Sequence, residues 1–253
     1  VKLLIKLGGT LLDEPESRAR LAAEIAALDH KVVVVHGGGK QMTRYLAERN
    51  VESRFVNGLR VTTPEVVDAV LKVFAGTVNT ELVAAFRAVG ARPVGLTGLD
   101  AGLVDAERLS EDLGAVGKPV RSDAALIELL TEEHYLPVVA CVAGDATGAV
   151  YNVNADQMAV ACASSFGAEK LIFLTDVDGV KGADGRVMAS ITVSEAASLI
   201  AQGVATGGMQ AKLEAAVSAL ATGVKEIVIA PGSKVGIIYN IFSLGDIGTR
   251  IVH

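Results

Sequence analysis

Short apolar runs alternate with amphipathic stretches from one end of the chain to the other. Residues 32–35 are four consecutive valines, too short a run for a helix core and too β-branched to favour one, so they predict a strand buried on both faces. Gly37, Gly38 and Gly39 follow at once, and residues 41–49 have helical spacing. The N-terminus has the same order, an apolar run through Lys6 into Gly8 and Gly9, then helical spacing over 16–28. Together these pieces predict a βαβ unit.

Farther on, residues 53–62 read SRFVNGLRVT, two short alternating runs joined by Asn57-Gly58, a strong hairpin signal. Pro64 sits where a first-turn proline is tolerated, and the helix predicted after it runs to residue 89 with small residues at Ala75 and Gly76. Strands are predicted at 92–96 and 136–142, with short antiparallel pieces and loops up to Arg121 and a helix at 123–130. The second half predicts helices at 155–166, 194–201 and from Thr206 to about 221, with strands at 170–175, 226–230 and 249–252, the last closing the sheet. Neither a sequence repeat nor a linker long enough to separate independent domains is present. The alternation predicts an α/β fold around a mainly parallel open sheet.

Composition narrows the function. A net charge of -6 and a pI near 5.3, with no stretch dense in Lys and Arg, argue against a nucleic-acid partner. No uninterrupted apolar run reaches the roughly 18 residues of a membrane span, and no signal-peptide pattern is found. Cys141 and Cys162 sit among apolar neighbours, which predicts buried free thiols and a cytoplasmic protein. Four scattered histidines offer no zinc spacing, and GxSxG, CxxC and HExxH are all missing.

The glycine turns carry the candidate chemistry. A strand ending in glycines before a helix leaves backbone N–H groups pointing outward, and the helix dipole adds positive potential, so phosphate or carboxylate oxygens fit there. Lys6, inside an apolar strand, is costly to bury unpaired and is expected to meet an anion. The turn Asp176-Val-Asp-Gly follows a strand at the sheet edge where ligands of open parallel sheets bind. No Walker A loop occurs and no GxGxxG follows a strand. Two glycine turns, with two lysines from opposite ends of the sequence neutralising a transferring phosphoryl group, form one arrangement that would serve phosphate chemistry.

The series KLGGT at Lys6, HGGG at His36, NGLRVT at Asn57, NVNADQ at Asn152, LTDVDGV at Leu174, GGMQAK at Gly207 and GTRI at Gly248 resembles the N-acetylglutamate kinases of the amino acid kinase family. It runs from end to end. The resemblance implies a three-layer αβα sandwich with two lobes on one continuous sheet. Residues 1–166 would bind the amino acid and dimerise, and residues 167–253 would bind ATP. The implied reaction moves the γ-phosphoryl of ATP to the γ-carboxylate of N-acetyl-L-glutamate, the second step of arginine synthesis.

Carried over residue by residue, Lys6 and Lys212 would stabilise the transferring group and Asp156 would hold both ammoniums. Gly8, Gly9 and Gly37 would bind phosphoryl oxygens. Gly38, Gly39, Arg60 and Asn152 would bind the substrate, Arg60 by clamping its α-carboxylate. ATP would lie over Asp176, Val177, Asp178, Gly179, Val180 and Lys181, and over Val204, Ala205, Thr206 and Met209. Mg2+ would be held mainly by phosphates and water, without direct protein ligands. Because the first strand begins almost at Val1, the resemblance further implies an arginine-insensitive homodimer.

Plainer readings exist for each residue. Arg60 could be a solvated hairpin residue, Asn152 and Asn154 helix caps, Asp176 and Asp178 turn formers, and Asp156 a first-turn acid facing the helix dipole. Lys40, Lys72 and Lys118 are expected at the surface, and His36 is expected to be structural. The competing functions are a sister kinase for another acidic or acylated amino acid (for example carrier-bound aminoadipate or N-succinylglutamate), and a non-catalytic nucleotide-binding module.

Overall fold

The computed structural model describes residues 1–243 and 247–253. Its strands are β1 (Lys2–Leu7), β2 (Lys31–His36), β3 (Phe55–Val56), β4 (Leu59–Arg60), β5 (Pro93–Thr97), β6 (Val104–Arg108), β7 (Val116–Ser122), β8 (Leu136–Ala140), β9 (Val142–Gly144), β10 (Val150–Val153), β11 (Lys170–Thr175), β12 (Ser190–Thr192), β13 (Glu226–Pro231) and β14 (Thr249–Val252). The helices are α1 (Pro15–Ala26), α2 (Gly39–Ala47), α3 (Pro64–Val70), α4 (Asn79–Ala88), α5 (Ala125–Glu132), α6 (Ala155–Phe166), α7 (Val193–Ala201), α8 (Gly207–Ala221) and α9 (Ile237–Ser243).

Eight strands form the central sheet in the order β12-β14-β13-β11-β1-β2-β8-β5, parallel except where β14 meets β13. Leu3, Leu4, Ile5, Val33, Val34, Val35, Leu171, Ile172, Phe173 and Leu174 are all fully or almost fully buried, as strands covered on both faces require. Helices α4, α5, α6 and α8 pack on this sheet, and α1 packs against α4. The open, mainly parallel sheet between helices is the predicted fold class.

Several elements differ from the sequence expectation. The strand expected over 136–142 divides at Cys141: β8 stays in the main sheet, while β9 joins β6, β7 and β10 in a small closed sheet. Gly98 donates to the Val142 carbonyl at 2.7 Å and Val153 donates to the Cys141 carbonyl at 3.1 Å, so both carbonyls at the bend find a donor. The strand at 249–252 does not end the sheet, because β12 pairs outside it in parallel. Neither β12 nor α9 was expected.

The helix from Pro64 is continuous to Ala88. Its middle, Leu71–Val78, has the wider π-helical winding. By length and apolar composition it could cross a membrane, although polar residues interrupt its apolar run. It behaves here as a core helix, with Val66, Val70, Phe74, Val78, Leu82 and Phe86 buried in the fold. Thr63 caps it and Pro64 occupies its first turn.

Candidate active site

Two glycine turns from adjacent strands meet at the C-terminal edge of the sheet. The Gly8 amide donates to the Leu174 carbonyl at 2.8 Å, and a Cβ on Gly8 would stand 3.0 Å from that oxygen. A Cβ on Gly9 would stand 3.0 Å from the Gly39 nitrogen and 3.6 Å from the Gly38 nitrogen. A side chain on Gly9 would therefore wedge the two turns apart, and one on Gly8 would press on the end of β11. Gly38 is the N-cap of α2, and the amides of Gly38 and Gly39 have no protein acceptor among the described residues. They are the free donors of a helix N-terminus.

Beside them lies a charged trio. Lys6 comes from the interior of β1 and Asp156 from the first turn of α6. Asn154 fixes that turn, its Oδ1 accepting from the amides of Asp156 at 2.8 Å and Gln157 at 3.3 Å. Lys6 Nζ is 2.7 Å from Asp156 Oδ1, and Lys212 Nζ donates to Oδ2 at 3.2 Å from α8. The Lys6 and Asp156 side chains are both under 10% exposed. Burial works to raise the Asp156 pKa, but the fields and hydrogen bonds of Lys6 and Lys212 outweigh it and hold the carboxyl below the usual range. With one carboxylate against two ammoniums, the trio keeps a net positive charge and can receive an anion.

A cavity of about 400 Å³ opens beside the trio, lined by both glycine turns, Arg60, Asn152 and Ala155 at the head of α6. The Asn57-Gly58 hairpin forms as predicted, both residues at positive φ, and ends in Arg60. Arg60 is 7% exposed. Its guanidinium donates to the Gly39 carbonyl at 3.1 Å, to Thr43 Oγ1 at 2.8 Å and to Ser53 Oγ, and lies over the Phe55 ring. Burial lowers its pKa. Its partners are all neutral, and among the described residues no carboxylate pairs with it, so the cavity holds an uncompensated buried cation. Asn152 also faces the cavity, donating to Thr62 Oγ1 at 3.0 Å, while Asn154 takes the capping role.

The proposed nucleotide residues sit in two segments. Asp176, Val177 and Asp178 are exposed after β11, and Asp178 lies 3.5 Å from Lys234. Gly179, at φ 150°, turns the chain inward where a Cβ would meet Thr249 Oγ1 at 2.7 Å. Val180 is fully buried, its amide donating to Thr249 Oγ1 at 2.8 Å, so its side chain supports the turn and faces no solvent. Lys181 is exposed. In the second segment Ala205 is buried, Val204 and Met209 are half-buried, and Thr206 is exposed just before α8, the helix that carries Lys212.

Sequence reasoning missed several contributors. Thr43, one helical turn after Gly39, and Ser53 hold Arg60; Thr62 holds Asn152; and Phe74, from the π-helical stretch, lines the cavity. Lys40, expected at the surface, is exposed yet lines the cavity rim. His36 is completely buried, consistent with a structural reading.

Comparison with known proteins adds independent information. Residues 2–231 match the model of the amino acid kinase family. The chain is similar to an acetylglutamate kinase of Solibacter usitatus, 60% identical over 100% of this chain and 99% of that protein. An acetylglutamate kinase of Acidobacterium capsulatum is 42% identical over 96% and 95% of the two chains. Among solved structures, N-acetylglutamate synthase from Neisseria gonorrhoeae, complexed with coenzyme A and N-acetyl-glutamate, aligns with TM-score 0.89 and 26% identity. That alignment covers 100% of this chain but only 59% of the synthase. Carbamate kinase from Giardia lamblia, TM-score 0.74 and 19% identity over 99% of this chain and 98% of that one, shares the fold.

Proposed function

The chain belongs to the amino acid kinase family, and we propose that it transfers the γ-phosphoryl group of ATP to the γ-carboxylate of N-acetyl-L-glutamate, the second step of arginine biosynthesis. The observation that carries this reading is one buried carboxylate held between two lysines, next to free glycine amides and a cavity containing an unpaired arginine. The acetylglutamate kinase at 60% identity supports the choice of substrate.

The chemistry follows from charge. A carboxylate nucleophile is ionised at neutral pH and needs no general base. Phosphoryl transfer then depends on positioning and on stabilising the charge that develops on the phosphoryl oxygens. Lys6 and Lys212 supply that stabilisation, with Asp156 keeping both ammoniums in place. The turns at Gly8–Gly9 and Gly37–Gly39 supply backbone donors for phosphoryl and substrate oxygens. Arg60 receives the α-carboxylate through its planar fork and Asn152 receives the acylamino group.

ATP lies over Asp176–Lys181 and over Val204, Ala205, Thr206 and Met209, so residues 167–253 serve the nucleotide and residues 1–166 the amino acid. The phosphoryl group crosses where Lys6 and Asp156 of the first part meet Lys212 of the second. Among the described residues no cluster of three His, Cys, Asp or Glu side chains suits a metal ion. A magnesium ion accompanying ATP would be held mainly through phosphate oxygens and water and would supply further charge neutralisation when bound. The outer side of the Pro64–Ala88 helix, with Leu71 exposed and Ala75 and Gly76 half-buried, is the proposed dimer contact.

An ATP-consumption assay across N-acetyl-L-glutamate, glutamate, aspartate and UMP tests the reading. Turnover confined to the acylated glutamate supports it, and preference for another acceptor overturns it.

A further inference from the structure

We propose that His36 and Asn79 are positioning residues for the phosphoryl site, forming a buried hydrogen-bond relay that sets which way the Gly37–Gly38 peptide faces. The proposal rests on the phosphotransfer reading above and assigns work to two side chains outside the reacting centre.

The relay starts at a backbone carbonyl, which can only accept. Asn79 Nδ2 lies 2.9 Å from the Val138 oxygen and 2.9 Å from His36 Nε2. An oxygen from Asn79 in that position would face the carbonyl lone pairs, so the amide group has a single satisfactory orientation, with both its hydrogens used. His36 Nε2 must then accept. The ring proton is left on Nδ1, which lies 2.8 Å from the Gly37 carbonyl oxygen and donates to it. Burial lowers the His36 pKa to about 4, keeping the ring neutral with one donor and one acceptor.

The consequence reaches the site through the peptide plane. In a trans peptide the C=O and the following N–H point in opposite directions. Drawing the Gly37 oxygen toward buried His36 turns the Gly38 N–H the other way, toward Gly9 and the cavity. That N–H is one of the two unaccepted donors at the head of α2.

Two further features locate the relay. A Cβ on Gly95 in β5 would stand 2.2 Å from Asn79 Oδ1, so the strand makes room for this amide. The π-helical stretch just before Asn79 also packs Phe74 and Val78 against Gly38, where a Cβ would stand 2.9 and 3.1 Å from them.

The test uses the whole protein and three variants. Asn79→Leu removes the donor. Gly95→Ala displaces it from a strand that does not touch the site, at a backbone conformation that accepts alanine. Phe86→Leu loosens the same helix without touching the relay. We expect the first two to lower kcat on the order of 10-fold to 10²-fold, with both KM values changed less than about threefold. Phe86→Leu lowers Tm and keeps kcat. Long-range proton–nitrogen spectra of the imidazoles should show His36 with its proton on Nδ1 in the wild type and without a fixed tautomer in Asn79→Leu. Wild-type kcat in Asn79→Leu, or a wild-type His36 protonated on Nε2, overturns the relay. Failure of the wild type to phosphorylate N-acetyl-L-glutamate would count against the reaction assignment, while the tautomer would still decide the relay.

Discussion

Lys6 and Lys212 hold opposite oxygens of the same carboxylate, one ammonium on each side of Asp156. Removing either lysine leaves a neutral pair and takes away the net positive charge of the trio. Asp156→Asn is nearly isosteric and removes the charge that reconciles them. Buried Lys6 and half-buried Lys212 then face a neutral amide, and we expect stability to fall by about 3 kcal/mol, with kcat down on the order of 10²-fold. Denaturant unfolding and steady-state turnover measure the two effects; a variant as stable and active as wild type would remove Asp156 from the mechanism.

Lys6→Ala and Lys212→Ala each delete charge stabilisation needed most in the transition state. The expected loss in kcat is on the order of 10² or more, while circular dichroism shows the fold retained. Near-normal turnover in either variant contradicts the proposed chemistry.

Arg60→Lys keeps the positive charge and loses the planar fork held by Thr43 and Ser53. The expected result is a KM for the amino acid raised about tenfold or more, with the nucleotide KM little changed. If initial-rate kinetics show an unmoved amino-acid KM, Arg60 does not clamp the substrate.

His36 also predicts a pH dependence of stability. Its pKa is about 4 in the folded chain, against an ordinary value of 6.5, so between these the unfolded chain binds a proton that the folded chain refuses. Its contribution is fully present above pH 6.5, declines as pH falls, and is lost by about pH 4. The gap amounts to about 3 kcal/mol. Unfolding free energies for the wild type and His36→Gln, measured at intervals from pH 7.5 to 4, should converge toward the acid end. Parallel curves would mean that the ring is not held neutral.

The regular parts of the fold were legible because local pattern and tertiary role agree. The helix over 155–166 and the strand over 170–175 were located to the residue, since Asn154 caps one and unbroken apolar residues fill the other. The hairpin was legible because Asn57-Gly58 supplies the positive φ values that its turn demands. Helix α9 was not, because a distant residue finishes its N-terminus: Glu24 of α1 accepts from the amides of Gly236 at 2.9 Å and Ile238 at 3.1 Å. No neighbouring residue in sequence announces such a cap. Of the candidate site, Lys6 and the glycine turns were legible from the residues themselves, a lysine inside an apolar strand and glycines at strand ends, whereas Arg60 and Asp156 entered only through the family resemblance. Thr43, Ser53, Thr62 and Phe74 escaped because hydroxyls and a lone aromatic are ordinary on a helix or hairpin until the fold brings them to the cavity.

The π-helical stretch Leu71–Val78 makes the long helix a part that could be regularised only at a cost. A π turn contains one residue more than an α turn, and winding the same eight residues as even α-helix would give better hydrogen-bond geometry. Every position beyond the stretch would then rotate about 100° relative to those before it. With Phe74 still on the glycine turn, Asn79 would be carried off His36; with Asn79 kept in place, Phe74 would leave the cavity wall. The sounder helix would belong to the poorer enzyme, so the irregularity is where this chain has exchanged thermal robustness for the alignment of two contacts one turn apart.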